Sequence, residues 1–459
     1  MKIKESIRLN TLLSFVTGWI IMSLTACSNF TEVDIPVSEQ DAALIFSGDE
    51  SAKSAMTGLY ISMMNNFGHF GNMYTTYYAG LSSDEFQYIG TNTERVAMNE
   101  NSLMANNSQV RNLWRDMFEV IYQANAVMEG LDNTDQVSDD LKLQLKGEAL
   151  FMRAFTYFYL VNFFGDVPYV TTTDYDTNST LSRMPIDSIY EEIIDDLLQS
   201  MEQLPEDYAL SAGERIRPNY YAAKALLARI YLYTEDWDAA ATMASEVIDQ
   251  SSVYSLVPLS EVFLANNTEA IWQLYPVLDG FNTMEGYNFT CCVTNDFVLS
   301  ENLLGSFETG DARRESWVNG LVLGESTYWY PYKYQVAFSA NVTEYYTVLR
   351  LAEQYLIRAE AYAHSGLIDA ALGDVNSIRS RAGLPSISLN NEATVLEAIA
   401  QERRIEFYAE WGHRWLDLKR TGQMEALNYK VDWEATDVWY PIPESELVLN
   451  QNLTQNEGY

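Results

Sequence analysis

The chain has few of the residues from which metal and redox sites are built. Its 459 residues include three histidines (His69, His364, His413) and three cysteines (Cys27, Cys291, Cys292). The histidines are far apart in sequence, and His364 and His413 fall in helix-patterned segments where packing or capping is their ordinary role. Cys291 and Cys292 are adjacent, so a disulfide between them is sterically awkward. Two buried thiols or a strained vicinal bridge remain as readings. Basic residues are also scarce, 28 against 64 acidic ones, for a net charge of -36. Phosphate backbones need basic patches, which excludes nucleic acid and charge-driven adhesion to anionic lipid. No P-loop, G-x-G-x-x-G or G-x-S-x-G motif stands out. The stretch "DYDTNST" (174–180) opens like a calcium loop, but it lacks the sixth-position glycine and has Pro185 where the twelfth-position glutamate belongs. No cofactor is called for.

Long apolar runs are absent too, except near the start. Lys2, Lys4 and Arg8 precede a mostly apolar stretch from Thr11 to Met22. That stretch is short for a spanning helix, which needs about 20 residues, and has the length of a signal-peptide core. Leu24-Thr25-Ala26-Cys27 follows and has the form of a bacterial lipobox. Residues 1–26 therefore read as a lipoprotein signal peptide, with Cys27 as the lipid attachment site and residues 27–40 as a tether. Two or more acyl chains make such an anchor stable.

Helical periodicity is abundant in the remaining 41–459, read as a single domain. Arg111–Leu131 carries an i, i+3, i+4 apolar stripe. Gly147–Val170 is apolar almost all round until Gly165 and Pro168 end it, and Ile186–Leu204 is amphipathic. Two units look alike, Ala223–Ile248 and Glu353–Ile378. Ala228, Tyr231, Trp237 and Ala240 recur 131 residues on as Ala359, Tyr362, Ile368 and Ala371. This small–aromatic–bulky–small spacing matches the tetratricopeptide pattern; the helix around Ala154 and Tyr157 partly fits a third copy. Two irregular insertions, about 65–107 and 251–346, are rich in Tyr, Asn and Gly. In the second, Tyr328, Tyr330, Tyr332 and Tyr334 alternate as on a strand, with Pro331 demoting it to an edge or loop. The fold class is mainly α, a tetratricopeptide-like scaffold with recognition placed in the loops.

Five segments, in this order, resemble the RagB/SusD family of nutrient-binding outer-membrane lipoproteins: the lipobox with "CSNFTEVDIP", "GEALFMRAFTYFYLVNFFGDVPYV", "RPNYYAAKALLARIYLYTEDWDAA", "QERRIEFYAEWGHRWLDLKRTG" and "WYPIPESELVLNQNLTQNEGY". The resemblance implies a helical lid on a SusC-like TonB-dependent outer-membrane transporter. It implies oligosaccharide, or in some branches peptide, as cargo, a surface-exposed lipid-anchored location, and no enzymatic activity. Read from its residues, the fourth segment is one charged helix in which Glu410 pairs with Arg414 four residues on, and Arg403, Arg404 and Glu406 satisfy buried groups.

Sugars present C–H faces that stack on aromatic rings, and hydroxyls that bond to polar side chains. The first insertion offers Tyr74, Tyr78, Phe86 and Tyr88, with Asp84 and Asn92; the second offers Tyr275, Phe281, Tyr287 and Trp317, with Asn282 and Asn288. Tyr74, Asp84, Phe86, Tyr88, Phe281, Asn282, Tyr287 and Trp317 are the candidate ligand residues. Asp84 and Glu85 are the acids that a glycosidase reading would favour, because hydrolysis needs two carboxyl groups across a sugar.

Overall fold

A computed structural model describes residues 44–64, 67–290, 296–430 and 433–459. Cys27, Cys291, Cys292, the signal peptide and the tether lie outside the described residues. Mainly helical structure results, as the periodicity predicts. Successive helices pack each on the next: Ser108–Asp132, Asp139–Phe164, Ile186–Gln203, Tyr220–Tyr233 and Trp237–Ile248, then Leu351–His364, Ile368–Arg381 and Glu392–Glu406. Asp139–Phe164 is the central element, and every residue from Gly147 onward in it is buried. It stops at Gly165, whose φ of 70° no β-carbon-bearing residue adopts cheaply.

The two look-alike units adjoin in space although 251–346 separates them in sequence. Helix Trp237–Ile248 lies against Leu351–His364, and Ala228, Ala240, Ala244 and Ala361 form a shared small-residue seam with Leu232 and Ile357. Small side chains let the backbones approach closely. Trp237 stacks on His364 with centroids 4.0 Å apart. Each unit turns through a left-handed residue at the matching position, Glu235 (φ 59°) in one and Gly366 (φ 74°) in the other. The interruption is therefore an insertion between stacked pairs, and the pairs remain contiguous.

Bidentate ion pairs stitch neighbouring helices. Arg153 holds Asp196, Arg229 holds Glu353 and Arg358 holds Asp374. The insertion is anchored differently, by a two-stranded antiparallel sheet of Ala270–Leu274 and Tyr346–Arg350. Trp272 on it is fully buried, edge-on to Phe151 and Phe155 of the central helix at 5.0 and 5.2 Å. Of the alternating tyrosines, Tyr328 and Tyr330 fall on a hairpin, Val318–Leu323 with Ser326–Pro331, whose last paired position is Pro331; Tyr332 and Tyr334 lie beyond the strand.

Two expectations are corrected. The stretch 65–107 is not irregular throughout: Phe70–Tyr74 is a π-helical turn leading into helix Thr75–Ser82, and Thr93–Glu100 is a further helix. The charged segment after Gln401 is not one helix. It ends at Glu406 and resumes at His413, with Ala409, Trp411 and Gly412 all at positive φ between. A β-carbon on Gly412 would lie 2.5 Å from that of Ala79, so helix Thr75–Ser82 forces the break. The break also redirects Glu410. It bonds Arg350 and Lys333, not Arg414, which instead takes Asp84.

Glu406 sits at the focus of the largest ion network. Its carboxylate receives Arg313, Arg350 and Arg381, and Arg350 and Arg381 also share Glu269. Burial would raise the Glu406 carboxyl, but Arg381, Arg350 and Arg313 outweigh it and hold it well below the usual carboxylate range. Removing one member of a buried network strands the others, at a cost of about 3–5 kcal/mol. Glu406→Gln is therefore expected to lower unfolding free energy by about that much in urea titrations. A carboxyl depressed on folding stabilises fully above its unfolded pKa, about 4.3, and less as pH falls through the folded value. The gap between wild type and variant should stay constant from pH 8 to 5 and shrink below pH 4.

Candidate functional site

The two insertions meet at one surface. The π-helical turn Phe70–Tyr74 supports helix Met284–Thr290, where Asn288 bonds the Met284 carbonyl at 2.8 Å and touches the Met73 sulfur. Segment 278–290 is in turn clasped to 335–345. Phe281 and Phe338 form an isolated antiparallel bridge, and Ser339 N–H donates to the Gly280 carbonyl at 3.0 Å. Asn282 Oδ1 accepts from Thr343 N–H at 2.8 Å and Glu344 N–H at 2.9 Å. The Glu344 carboxylate accepts from Gln335 N–H and Val336 N–H; burial pushes this carboxyl up to about 7. A β-carbon on Gly286 would sit 2.9 Å from the Val336 carbonyl, so a glycine is needed where the helix meets the loop.

Three rings of the clasp, Phe281, Tyr287 and Phe338, meet Phe67 of the first insertion. Phe281 lies 5.5 Å from Phe67, 5.2 Å from Tyr287 and 5.1 Å from Phe338. Tyr287 is also 6.1 Å from Phe67 and 5.3 Å from Phe338. Phe67 and Phe338 are 59% and 56% exposed, so their apolar faces meet water, and Phe281 and Tyr287 are half-buried beneath them. Interplanar angles run from 54° to 86°, the edge-to-face geometry that aromatic quadrupoles favour. The rings make a faceted aromatic cluster, the cup, and not a single plane.

Of the sequence candidates, Phe281 and Tyr287 are in this cup. Tyr74 is half-buried and stacks on Tyr78 at 4.8 Å, while Tyr275 is partly exposed beside Tyr345. Tyr78, Asp84, Phe86, Tyr88, Asn282 and Trp317 lie inside, whereas Asn288 is half-buried and Asn92 is exposed. Phe86 packs beside Tyr77 and Phe289. Tyr88 is buried with its hydroxyl near Asp296 and Asn92. Trp317 is 1% exposed, its indole donating to the Leu259 carbonyl at 3.0 Å. Asn282 is the clasp described above, and Asn92 caps helix Thr93–Glu100. Phe86, Tyr88, Asn282 and Trp317 therefore offer no face for a sugar in this structure; their work is to hold loops. Asp84 likewise is sealed, receiving Arg404 and Arg414 on its two oxygens. Glu85 beside it is buried and pushed up to about 8, with one oxygen unpartnered. Neither carboxyl of this pair faces a cleft. Asp174, which opened the calcium-like stretch, caps a single helical turn through Thr177 N–H.

Phe67 and Phe338 were missed. They sit among polar and small residues, in "NNFG" and "AFSAN"; an aromatic stranded among Asn, Gly and Ser is the available signal. A separate cavity of about 480 Å³ lies between Trp237, Leu396 and Leu418. Its four arginines are already taken, Arg403 and Arg420 by Asp417 and Glu360, and Arg404 and Arg414 by Asp84.

The chain belongs to the SusD/RagB family: the family model described as "Starch-binding associating with outer membrane" matches residues 42–232, and that of the SusD family matches residues 324–459. It is 27% identical over 507 residues to SusD-like protein P2 of Formosa agariphila, covering 96% of this chain and 98% of that one. It is 38% identical over 122 residues to the starch-binding protein SusD of Bacteroides thetaiotaomicron, 24% of this chain and 21% of that one. Its fold matches a SusD superfamily protein from Bacteroides vulgatus with a TM-score of 0.77 at 22% identity, over 90% of this chain and 100% of that one. A laminarin-binding SusD-like protein matches with a TM-score of 0.75 at 25% identity, over 90% of this chain and 100% of that one.

The clasp yields a test. Asn282→Ala strands two loop amides, each costing about 1–3 kcal/mol when buried and unsatisfied. Amide hydrogen exchange across 335–345 should speed up at least tenfold, with helix Asp139–Phe164 unchanged; equal protection in both proteins would contradict the role assigned to Asn282.

Proposed function

We propose that this chain is a surface-exposed, lipid-anchored outer-membrane protein that captures oligosaccharide or polysaccharide and delivers it to a SusC-like TonB-dependent transporter. The observation that carries the reading is the four-ring cup formed where both insertions meet. Sugar C–H faces gain contact on such rings, and Phe67 and Phe338 are exposed enough to supply it. Family membership and the laminarin-binding neighbour support a glycan cargo. The lipobox at Cys27 supports the anchor, and among the described residues no helix is long and apolar enough to cross a membrane. The chain acts as a binder and not a catalyst: its most suggestive acid pair, Asp84 and Glu85, is locked in the interior.

Polysaccharide in a native gel should retard the protein lacking its signal and anchor. Replacing Phe67, Phe281, Tyr287 and Phe338 together by Ala should weaken the interaction about 100-fold, or about 2.7 kcal/mol, while circular dichroism is unchanged. Retardation equal to wild type would remove the cup from the reading. Released sugar after prolonged incubation would favour a hydrolase, and retention of acidic peptides instead of glycans would favour the peptide-carrying role. Cys27→Ser should move the protein from the membrane to the soluble fraction.

A further inference from the structure

The charge around the cup restricts its cargo, an inference that rests on the cup being the glycan site. The rings come from segments 67–74, 275–290 and 332–345. Across them the bases are His69, which is 2% exposed and pushed down to about 3 by burial, and Lys333. Lys333 is 4% exposed and already committed, donating to the Glu406 carbonyl and the Glu410 carboxylate. No exposed cation therefore stands in the loops that build the site; Arg115, on helix Ser108–Asp132 behind the turn Phe70–Tyr74, is exposed but is paired with Asp116 at 2.8 Å.

The acids there are equally informative. Glu285 is buried, accepts the Tyr346 hydroxyl at 2.7 Å, and burial pushes it up to about 8. Glu344 is spent on two loop amides. Asp279, next to the bridge at Phe281, is exposed. What remains for a ligand is aromatic surface, amides and hydroxyls, with a carboxylate at the edge.

An anionic sugar pressed against such a surface loses water from its carboxylate or sulfate and gains no cationic partner. Burying a charge without a partner is costly, and Arg or Lys is what strongly recognises carboxylate and sulfate. A neutral sugar has no such charge to desolvate. The chain's net charge of -36 adds a repulsion that reaches beyond the site, but salt screens it over about 8 Å at physiological ionic strength. The local deficit of cations survives that screening.

We infer that the cup takes uncharged glycan, a polymer of neutral hexoses or pentoses, and rejects polyuronates and sulfated polysaccharides. The discrimination belongs to the loops and not to the overall charge, so it persists in salt.

Affinity gels cast with a neutral β-glucan, a neutral α-glucan, a neutral xylan, polygalacturonate and a sulfated galactan separate the possibilities. They are run at low salt and at 0.15 M NaCl with wild type and the four-alanine variant. The expected result is retardation of wild type by at least one neutral polymer, at least tenfold weaker retardation by both anionic ones at either salt, and loss in the variant. Preference for an anionic polymer that the variant loses would overturn the charge inference and leave the cup standing. Binding of any polymer that the variant keeps would overturn the cup itself, and this inference with it. Rejection of anionic polymers that disappears in 0.15 M NaCl would show that net charge, and not the loops, decides. No retardation of wild type by any polymer overturns both readings.

Discussion

Glu406 and its three arginines hold the structure's distant parts in register. Arg350 ends the strand that ties the insertion to the long central helix, Arg313 belongs to a short helix inside the insertion, and Arg381 closes a scaffold helix. All three converge on one carboxylate at the end of helix Glu392–Glu406. Charges this deep are expensive unless each finds partners. Their value is geometric: a misplaced insertion would leave a guanidinium buried without its acid. An acidic chain with few bases has spent many of them on these internal joints.

That geometry reaches the binding surface through short steps. Glu410 leaves the helix break that Gly412 permits and meets Arg350 and Lys333. Lys333 lies at the root of the segment carrying Phe338, and the Asn282 and Glu344 clasp then fixes this segment against Phe281. The exposed rings are loop residues, and the segment that bears Phe338 is tied to the scaffold by the buried contacts of Lys333. A cup held this way meets its ligand largely formed, which reduces the ordering cost of binding.

Much of the scaffold was legible because helix periodicity repeats over many residues. The paired units align on four positions, Ala228, Tyr231, Trp237 and Ala240 with Ala359, Tyr362, Ile368 and Ala371, and small residues of the same helices line the seam between them. The break at Ala409–Gly412 was not legible, since the charged pattern continues through it and the obstacle, Ala79, lies over 300 residues away in sequence. The site was read in part. Aromatic enrichment pointed to the two insertions that meet at the four rings and included Phe281 and Tyr287. It could not separate exposed rings from buried ones: Trp317 and Phe86 have the same local composition, and only tertiary packing takes them inside. Asp84 looked chemical for a similar reason, because its partners Arg404 and Arg414 arrive from the far end of the chain.

The central claim is that glycan lies on the cup formed by Phe67, Phe281, Tyr287 and Phe338. A crystal structure with a bound oligosaccharide tests it most directly. The account predicts a sugar ring in contact with Phe281 or Tyr287 and flanked by Phe67 or Phe338, with no side-chain cation against it. Sugar density elsewhere with the four rings uncovered, as in the cavity beside Trp237 and Leu396, would contradict it.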